Sequence, residues 1–178
     1  MKLGNILFSV LFILALASCN DEPKYADPEA HEKTTLLNEQ YAPLIVGTWY
    51  YENTGDKHRF HEQLTFKADG TLTGIRKWQG RSLVTIDGEE RFTDWKDVEE
   101  LNGSFTGTWN LRYGAPDGNE RRNCLILYAS YDNKEYMAYS YVATFDYANE
   151  TTLRFKGYYY NDADGWTNYH RGNMEPSF

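Results

Sequence analysis

The chain has 178 residues and a formal charge of −8, with 26 acidic against 18 basic side chains, and 16% of it is aromatic, dominated by 15 Tyr. That length fits one domain with a core of moderate size. The acidic balance offers no basic stripe, which argues against nucleic acid as a partner and against electrostatic adhesion to anionic lipid headgroups.

At the start of the chain Lys2 precedes an apolar run from Ile6 to Ala17, and Leu16-Ala17-Ser18-Cys19 closes it with small residues before a cysteine. The run is too short to span a bilayer, which takes roughly 20 apolar residues. Its layout resembles the lipobox of bacterial lipoproteins. The resemblance implies that residues 1–18 are a removed signal peptide and that Cys19 carries a thioether-linked diacylglycerol and an amide-linked acyl chain of the palmitate type. Several chains give stable anchoring where one is marginal. The implied location is the bacterial cell envelope, as an outer-membrane lipoprotein on its periplasmic or its surface-exposed side. The acidic stretch Asn20-Asp21-Glu22-Pro23-Lys24 also resembles the export signal of surface-exposed lipoproteins in Bacteroidetes.

With Cys19 acylated, Cys124 is the remaining thiol, so no intramolecular disulfide can form and the fold must be held by its core. Cys124 sits in the run Cys124-Leu125-Ile126-Leu127-Tyr128, which reads as a buried strand rather than a nucleophile's setting.

Residues 19–33 mix Asp, Glu, Pro and Lys with few apolar groups and read as a flexible tether carrying the lipidated Cys19. The ordered domain is expected over residues 34–178. Thr35 to Glu39 favours one or two helical turns, capped by Thr34 or Thr35 and ending before Pro43.

From Val46 onward the pattern is strands and turns. Phe105, Gly107, Trp109, Leu111 and Tyr113 alternate with Ser104, Thr106, Thr108, Asn110 and Arg112, the period-two signature of a strand with one buried face. Phe60, Glu62, Leu64 and Phe66 share a face, Asp69-Gly70 gives a tight turn, and residues 71–78 run back. Short runs at 82–86 and 90–95 flank the turn at Ile86-Asp87-Gly88-Glu89, and 97–102 reads as a loop or a single helical turn. Strands are expected at 123–131, 136–146, 152–160 and 166–171, joined by turn-rich links. Short links imply antiparallel neighbours, so the predicted class is all-β, an up-and-down barrel of about 8–10 strands whose closure removes exposed edges.

Gly47-Thr48-Trp49, the Leu64-Thr65-Phe66-Lys67-Ala68-Asp69-Gly70-Thr71 hairpin, Thr152-Leu153-Arg154-Phe155 and Tyr169-His170-Arg171 follow one another in an order that resembles lipocalins and the lipocalin-like domains of Bacteroidetes lipoproteins, over roughly residues 44–172. The resemblance implies a lipocalin-like antiparallel barrel in which Gly47 and Trp49 open the first strand and Arg171 packs on the Trp49 indole at the closed end. Gly107-Thr108-Trp109 repeats the tripeptide with no wider repeat around it, and the 79–102 insertion lengthens the front half beyond a minimal lipocalin.

Tyr rings with polar tips suit a pocket for an amphipathic ligand. By alternation with Trp49 or with the most apolar face, the candidate lining residues are Tyr51, Trp109, Tyr113, Tyr139, Tyr141 and Tyr159. Two readings stay open: a barrel that binds a small amphipathic or apolar molecule in its interior, and a barrel filled by its own side chains that binds protein or glycan at its surface, as an envelope module or inhibitor. Neither needs a cofactor. His58 and His61 fall on opposite strand faces and cannot share a metal, and Asp162-Ala163-Asp164-Gly165 reads as a hairpin turn lacking the other ligands of a calcium loop. The acidic residues between Glu89 and Glu100 read as solvated surface, and no phosphate loop, nucleophile elbow, His-Glu-x-x-His or Cys-x-x-Cys pattern is present, so an enzyme is not expected.

Overall fold

A computed structural model describes residues 25–116, 118, 120–135, 138–156, 162 and 164–175. Among the described residues one helix, α1 (Pro28–Ile45), precedes eleven strands: β1 (Gly47–Thr54), β2 (His58–Phe66), β3 (Thr71–Gly80), β4 (Leu83–Ile86), β5 (Glu89–Phe92), β6 (Lys96–Asp97), β7 (Gly103–Gly114), β8 (Arg122–Tyr131), β9 (Ala138–Ala148), β10 (Thr152–Phe155) and β11 (Thr167–Arg171). Eight of them close a ring in the order β1-β2-β3-β7-β8-β9-β10-β11, with β11 returning to β1. Every pairing in the ring is antiparallel and joins strands that neighbour in sequence, apart from the β3–β7 step across the insertion and the closing β11–β1 seam, so this is a closed up-and-down, lipocalin-like barrel. Closure leaves the barrel no open edge of its own.

Alternation decides which side chains enter the barrel. On β2, Phe60, Glu62, Leu64 and Phe66 are buried; opposite them on β3 stand Trp78, Arg76, Gly74 and Leu72. The reversal between these strands uses Gly70 at φ +82°, while the Asp69 carboxylate accepts the Thr71 N–H at 2.9 Å. Gly74 and Gly107 lie where the wall is tightest: a Cβ at Gly74 would collide with the Phe105 ring, and one at Gly107 with the Tyr128 carbonyl.

The helix seals one end. Its Asp27 cap accepts the Ala30 N–H at 3.0 Å, Asn38 donates to the Leu111 carbonyl, and the Tyr113 N–H donates to Thr34 Oγ1. Leu37 and Ile45 are buried, and Tyr41 meets Phe145 edge-on at 5.1 Å. Two expectations about this segment need correction. The helix starts at Pro28, inside the stretch expected to be a tether, because Asp27 and Pro28 form a cap and first turn that a count of apolar residues overlooks. It also runs through Pro43 to Ile45, since a proline in the last turn removes only one donor there and Val46 N–H still reaches Ala42 O at 3.2 Å.

The insertion between β3 and β7 contains β4 and β5, which pair only with each other, and β6, which adds two residues to the edge of β3. Residues 97–102, expected to be a loop or a single helical turn, therefore begin with the end of a short strand. The expected strands at 136–146 and 152–160 are observed as β9 and β10, with a register shift between Arg154 and Phe155; residues 157–161 lie outside the described residues.

Candidate functional site

The strand register brings two opposite charges together inside the barrel. Glu62 on β2 pairs with Arg76 on β3, and both are almost inaccessible, at 1% and 3% exposure. Arg76 donates from Nε to Glu62 Oε2 at 2.9 Å and from Nη2 to the same oxygen at 2.7 Å, while the Tyr169 hydroxyl donates to Glu62 Oε1. Charges taken out of water are tolerated only when paired and hydrogen-bonded in this way.

Aromatic rings wall in the pair. The Arg76 guanidinium lies 4.6 Å from the Tyr139 ring centre and 5.2 Å from that of Phe60. Tyr139 stacks on Phe105 at 3.8 Å, Tyr169 stacks on Phe155 at 4.8 Å, and the Tyr139 and Tyr141 hydroxyls are 3.2 Å apart. Burial, followed by the nearby Glu62 carboxylate, pushes the Tyr139, Tyr141 and Tyr169 hydroxyls well above the ordinary tyrosine range. For Arg76, burial opposes the charge, but Glu62 together with Tyr139 and Tyr131 outweighs it and holds the guanidinium protonated.

Tyr51, Tyr139 and Tyr141 belong to this interior group. Tyr51 is buried, its ring 5.4 Å from Tyr169 and its hydroxyl donating to Asp162 Oδ1 at 3.1 Å, in the link between β10 and β11. Trp109 and Tyr113 lie elsewhere. Trp109 is near the end covered by α1, where its indole N–H donates to Lys67 O at 2.9 Å and it walls a crevice of about 500 Å³ with Asn38, Ala42, Pro43, Val46 and Ala68. Tyr113 is at the end of β7 beside the start of the helix, with Lys33 Nζ 4.6 Å from its ring centre. Both have inward parity on β7, but past Thr108 that strand has left β3 behind and pairs with β8 alone, where α1 packs against it. Tyr159 and the lipidation candidate Cys19 lie outside the described residues.

Gly47, Trp49 and Arg171 come together at the helix-covered end. Trp49 is fully buried and donates its indole N–H to Ile45 O at 2.7 Å, and the Arg171 guanidinium stands 4.2 Å from its ring centre. Arg171 also donates to the carbonyls of Leu44, Val46 and Glu150, and Gly47, at φ +138°, leaves room for the guanidinium.

Glu62 and Arg76 were not among the residues singled out from sequence as a site. The signal was there: Glu62 shares a face with Phe60, Leu64 and Phe66, and the register that follows the Asp69-Gly70 turn sets Arg76 opposite it. Among the described residues no group of three or more His, Cys, Asp or Glu side chains could hold a metal ion, and no helix is long and apolar enough to cross a membrane. No protein-family model, curated protein or solved structure matches this chain.

Proposed function

We propose that this protein is an envelope-anchored binding module built on a side-chain-filled barrel, which recognises a protein or glycan with its outer surface. One observation carries the reading: around the middle layer of the barrel the described inward side chains leave no water-sized space against them. Trp49, Leu64, Leu72, Phe105, Leu127, Leu153 and Phe155 are at 0% exposure, and the Glu62–Arg76 pair occupies the middle. A carrier barrel keeps a connected cavity of several hundred Å³; interdigitated side chains at interior density make a scaffold. The lipid anchor belongs to the same reading and rests on Leu16-Ala17-Ser18-Cys19.

Native mass spectrometry of the protein extracted from its own envelope, before and after refolding from denaturant, tests the filled barrel. A bare polypeptide mass in both samples is the expected result, and an extra mass lost on refolding would overturn it. Metabolic labelling with a palmitate analogue tests the anchor: label in the wild type and none in Cys19→Ala is expected, and equal labelling would overturn it.

A second reading, a small amphipathic ligand held inside the barrel, is favoured by the convergence of Glu62, Arg76 and the hydroxyls of Tyr139, Tyr141 and Tyr169 within aromatic walls. Such a cluster matches the polar head of an amphiphile. The same mass measurement decides between the readings, and Tyr141→Phe should then weaken retention of any cargo.

A further inference from the structure

The β4–β5 hairpin stands apart from the barrel sheet, and its two strands have opposite edge chemistry. β5 reads Glu89-Glu90-Arg91-Phe92, whereas β4 reads Leu83-Val84-Thr85-Ile86, with no charge and no proline. Exposed edges are normally blunted by charge, proline or a bulge, because unpaired N–H and C=O groups otherwise template a foreign strand. Here the guarding charges lie on β5 alone. Among the described residues nothing pairs with the other side of β4, and Leu83 and Ile86 are 40% and 50% exposed. The hairpin is nonetheless held firmly at its base: Arg81 lies 4.2 Å from the Phe92 ring centre and 4.3 Å from that of Trp95, and Arg59 lies 4.8 Å from the latter.

Backbone parity states which groups the open edge presents. Asp87 and Gly88, at φ +54° and +83°, make a two-residue turn closed by Ile86 and Glu89. Ladder bonds then link 86 with 89, 84 with 91 and 82 with 93, and the Thr93 N–H does donate to Ser82 O at 2.9 Å. Leu83 and Thr85 therefore turn their own N–H and C=O outward. Two copies of β4 can satisfy these groups mutually if Leu83 of one faces Thr85 of the other, which centres the pairing on Val84 against Val84. Continuing that register places Ser82 opposite Ile86 at both ends; Arg81, whose N–H donates to Lys57 O at 2.9 Å and whose Nε donates to Asp56 O at 2.6 Å, bounds the open edge. The uncharged edge from Ser82 to Ile86 is thus self-complementary in hydrogen bonds, as a two-fold contact requires.

We propose that β4 is a self-association edge: a second copy of this chain adds its β4 antiparallel, giving a four-stranded β5-β4-β4-β5 sheet with its two-fold axis at Val84. This does not depend on what the barrel binds. A sheet of four strands is also the better state for a hairpin that, as two strands, is marginal in water.

The test is sedimentation equilibrium of the full chain in detergent at less than one chain per micelle, over a wide concentration range. A reversible monomer–dimer equilibrium is expected. Val84→Lys, which sets two ammonium groups face to face, and Thr85→Pro, which deletes an outward N–H and no bond of the hairpin, should each raise the dissociation constant at least about 10-fold. Val84→Cys adds a check of register, because the Val84 pair is non-hydrogen-bonded, with Cα atoms about 4.5 Å apart and within reach of a disulfide. Mild oxidation should give a covalent dimer above the wild-type background for Val84→Cys and much less for Thr85→Cys. A chain that stays monomeric up to about 1 mM, well above the range of even weak specific interfaces, a dimer whose affinity neither variant moves, or equal cross-linking at 84 and 85 would each overturn the proposal.

Discussion

Arg171 ties both ends of the barrel chain together: it lies 4.2 Å from the Trp49 ring centre and hydrogen-bonds the carbonyls of Leu44, Val46 and Glu150. The β11–β1 seam it guards is the short one, with two register pairs, Trp49 with Arg171 and Tyr50 with His170. A guanidinium over an indole contributes about 1 kcal/mol and each net hydrogen bond about 1 kcal/mol, discounted because the side chain is partly open to solvent. Arg171→Ala should therefore cost about 2 kcal/mol in urea unfolding. Arg171→Lys should recover less than half of that, since an ammonium cannot reach three carbonyls and the ring in one geometry. Full recovery by lysine would show that charge alone suffices.

The Glu62–Arg76 pair makes a sharper prediction because its two partners are unequal when separated. Arg76→Met leaves a carboxylate buried with, among the described residues, only the Tyr169 hydroxyl as partner, and should destabilise by about 3–5 kcal/mol. Glu62→Leu combined with Arg76→Met removes both charges, so chemical unfolding should place the double variant well above Arg76→Met, close to the parent. A double variant as unstable as Arg76→Met would mean that the surrounding rings, rather than the ion pair, set the stability of the barrel's middle layer.

What could be read from the sequence divides along physical lines. Period-two alternation reveals any strand with one buried face, so Phe105 to Tyr113 and the hairpin about Asp69-Gly70 were legible. The helix was legible only as the one or two turns from Thr35 to Glu39, and its full length was not, because α1 buries only Leu37 and Ile45 and draws its hold from the Asp27 cap and from Asn38 and Thr34 bonding to β7, none of which makes an apolar stripe. Residues 28–33 look like a soluble tether for the same reason. The interior pair was half legible: Glu62 has core parity, but a charged side chain reads as solvated until register places Arg76 across from it. Trp109 shows the converse. Parity correctly turns it inward, and what parity cannot give is its height along the barrel, which here places it beside α1 and away from Tyr51 and Tyr139.

Gly74 offers a test of how full the interior is. A Cβ there would run into the Phe105 ring, itself stacked on Tyr139 and edge-on to Tyr131. In a filled barrel that ring has nowhere to go, so Gly74→Ala should cost about 1–3 kcal/mol of overpacking. Pairing it with Phe105→Leu should give a loss smaller than the sum of the two single losses, measured by thermal or urea unfolding. A neutral Gly74→Ala would reveal free volume beside Phe105 and favour the ligand-holding reading.

His61 predicts a dependence on acid. It is 8% exposed on the outer face of β2, with Glu52 Oε1 3.7 Å from its Nδ1, and burial lowers its pKa while Glu52 only partly counters. With the folded value below the unfolded one of about 6.5, the unfolded chain takes up its proton first as pH falls. Stability should be level above that point and decline below it, and His61→Gln should flatten the decline just under pH 6.5. An unchanged profile in that variant would assign the acid sensitivity to carboxylates instead.

Alkali should act on the interior tyrosines with the opposite logic. Tyr139, Tyr141 and Tyr169 have folded pKa values raised by burial and by Glu62, whereas in the unfolded chain they titrate near about 10. The neutral hydroxyl is thus favoured by the fold, and its contribution is complete below the unfolded value and lost as pH climbs from there toward the folded one. Stability should hold up to about pH 9.5 and then fall steeply, and absorbance at the phenolate band should show these three rings ionising only as the barrel unfolds. Tyr141→Phe removes one linked proton and should make the alkaline decline less steep, leaving the Tyr169 bond to Glu62 in place. If all the tyrosines ionised reversibly in one step near pH 10 with the fold intact, water would have to reach the Glu62–Arg76 layer, and the interior could not be the closed scaffold that its burial describes.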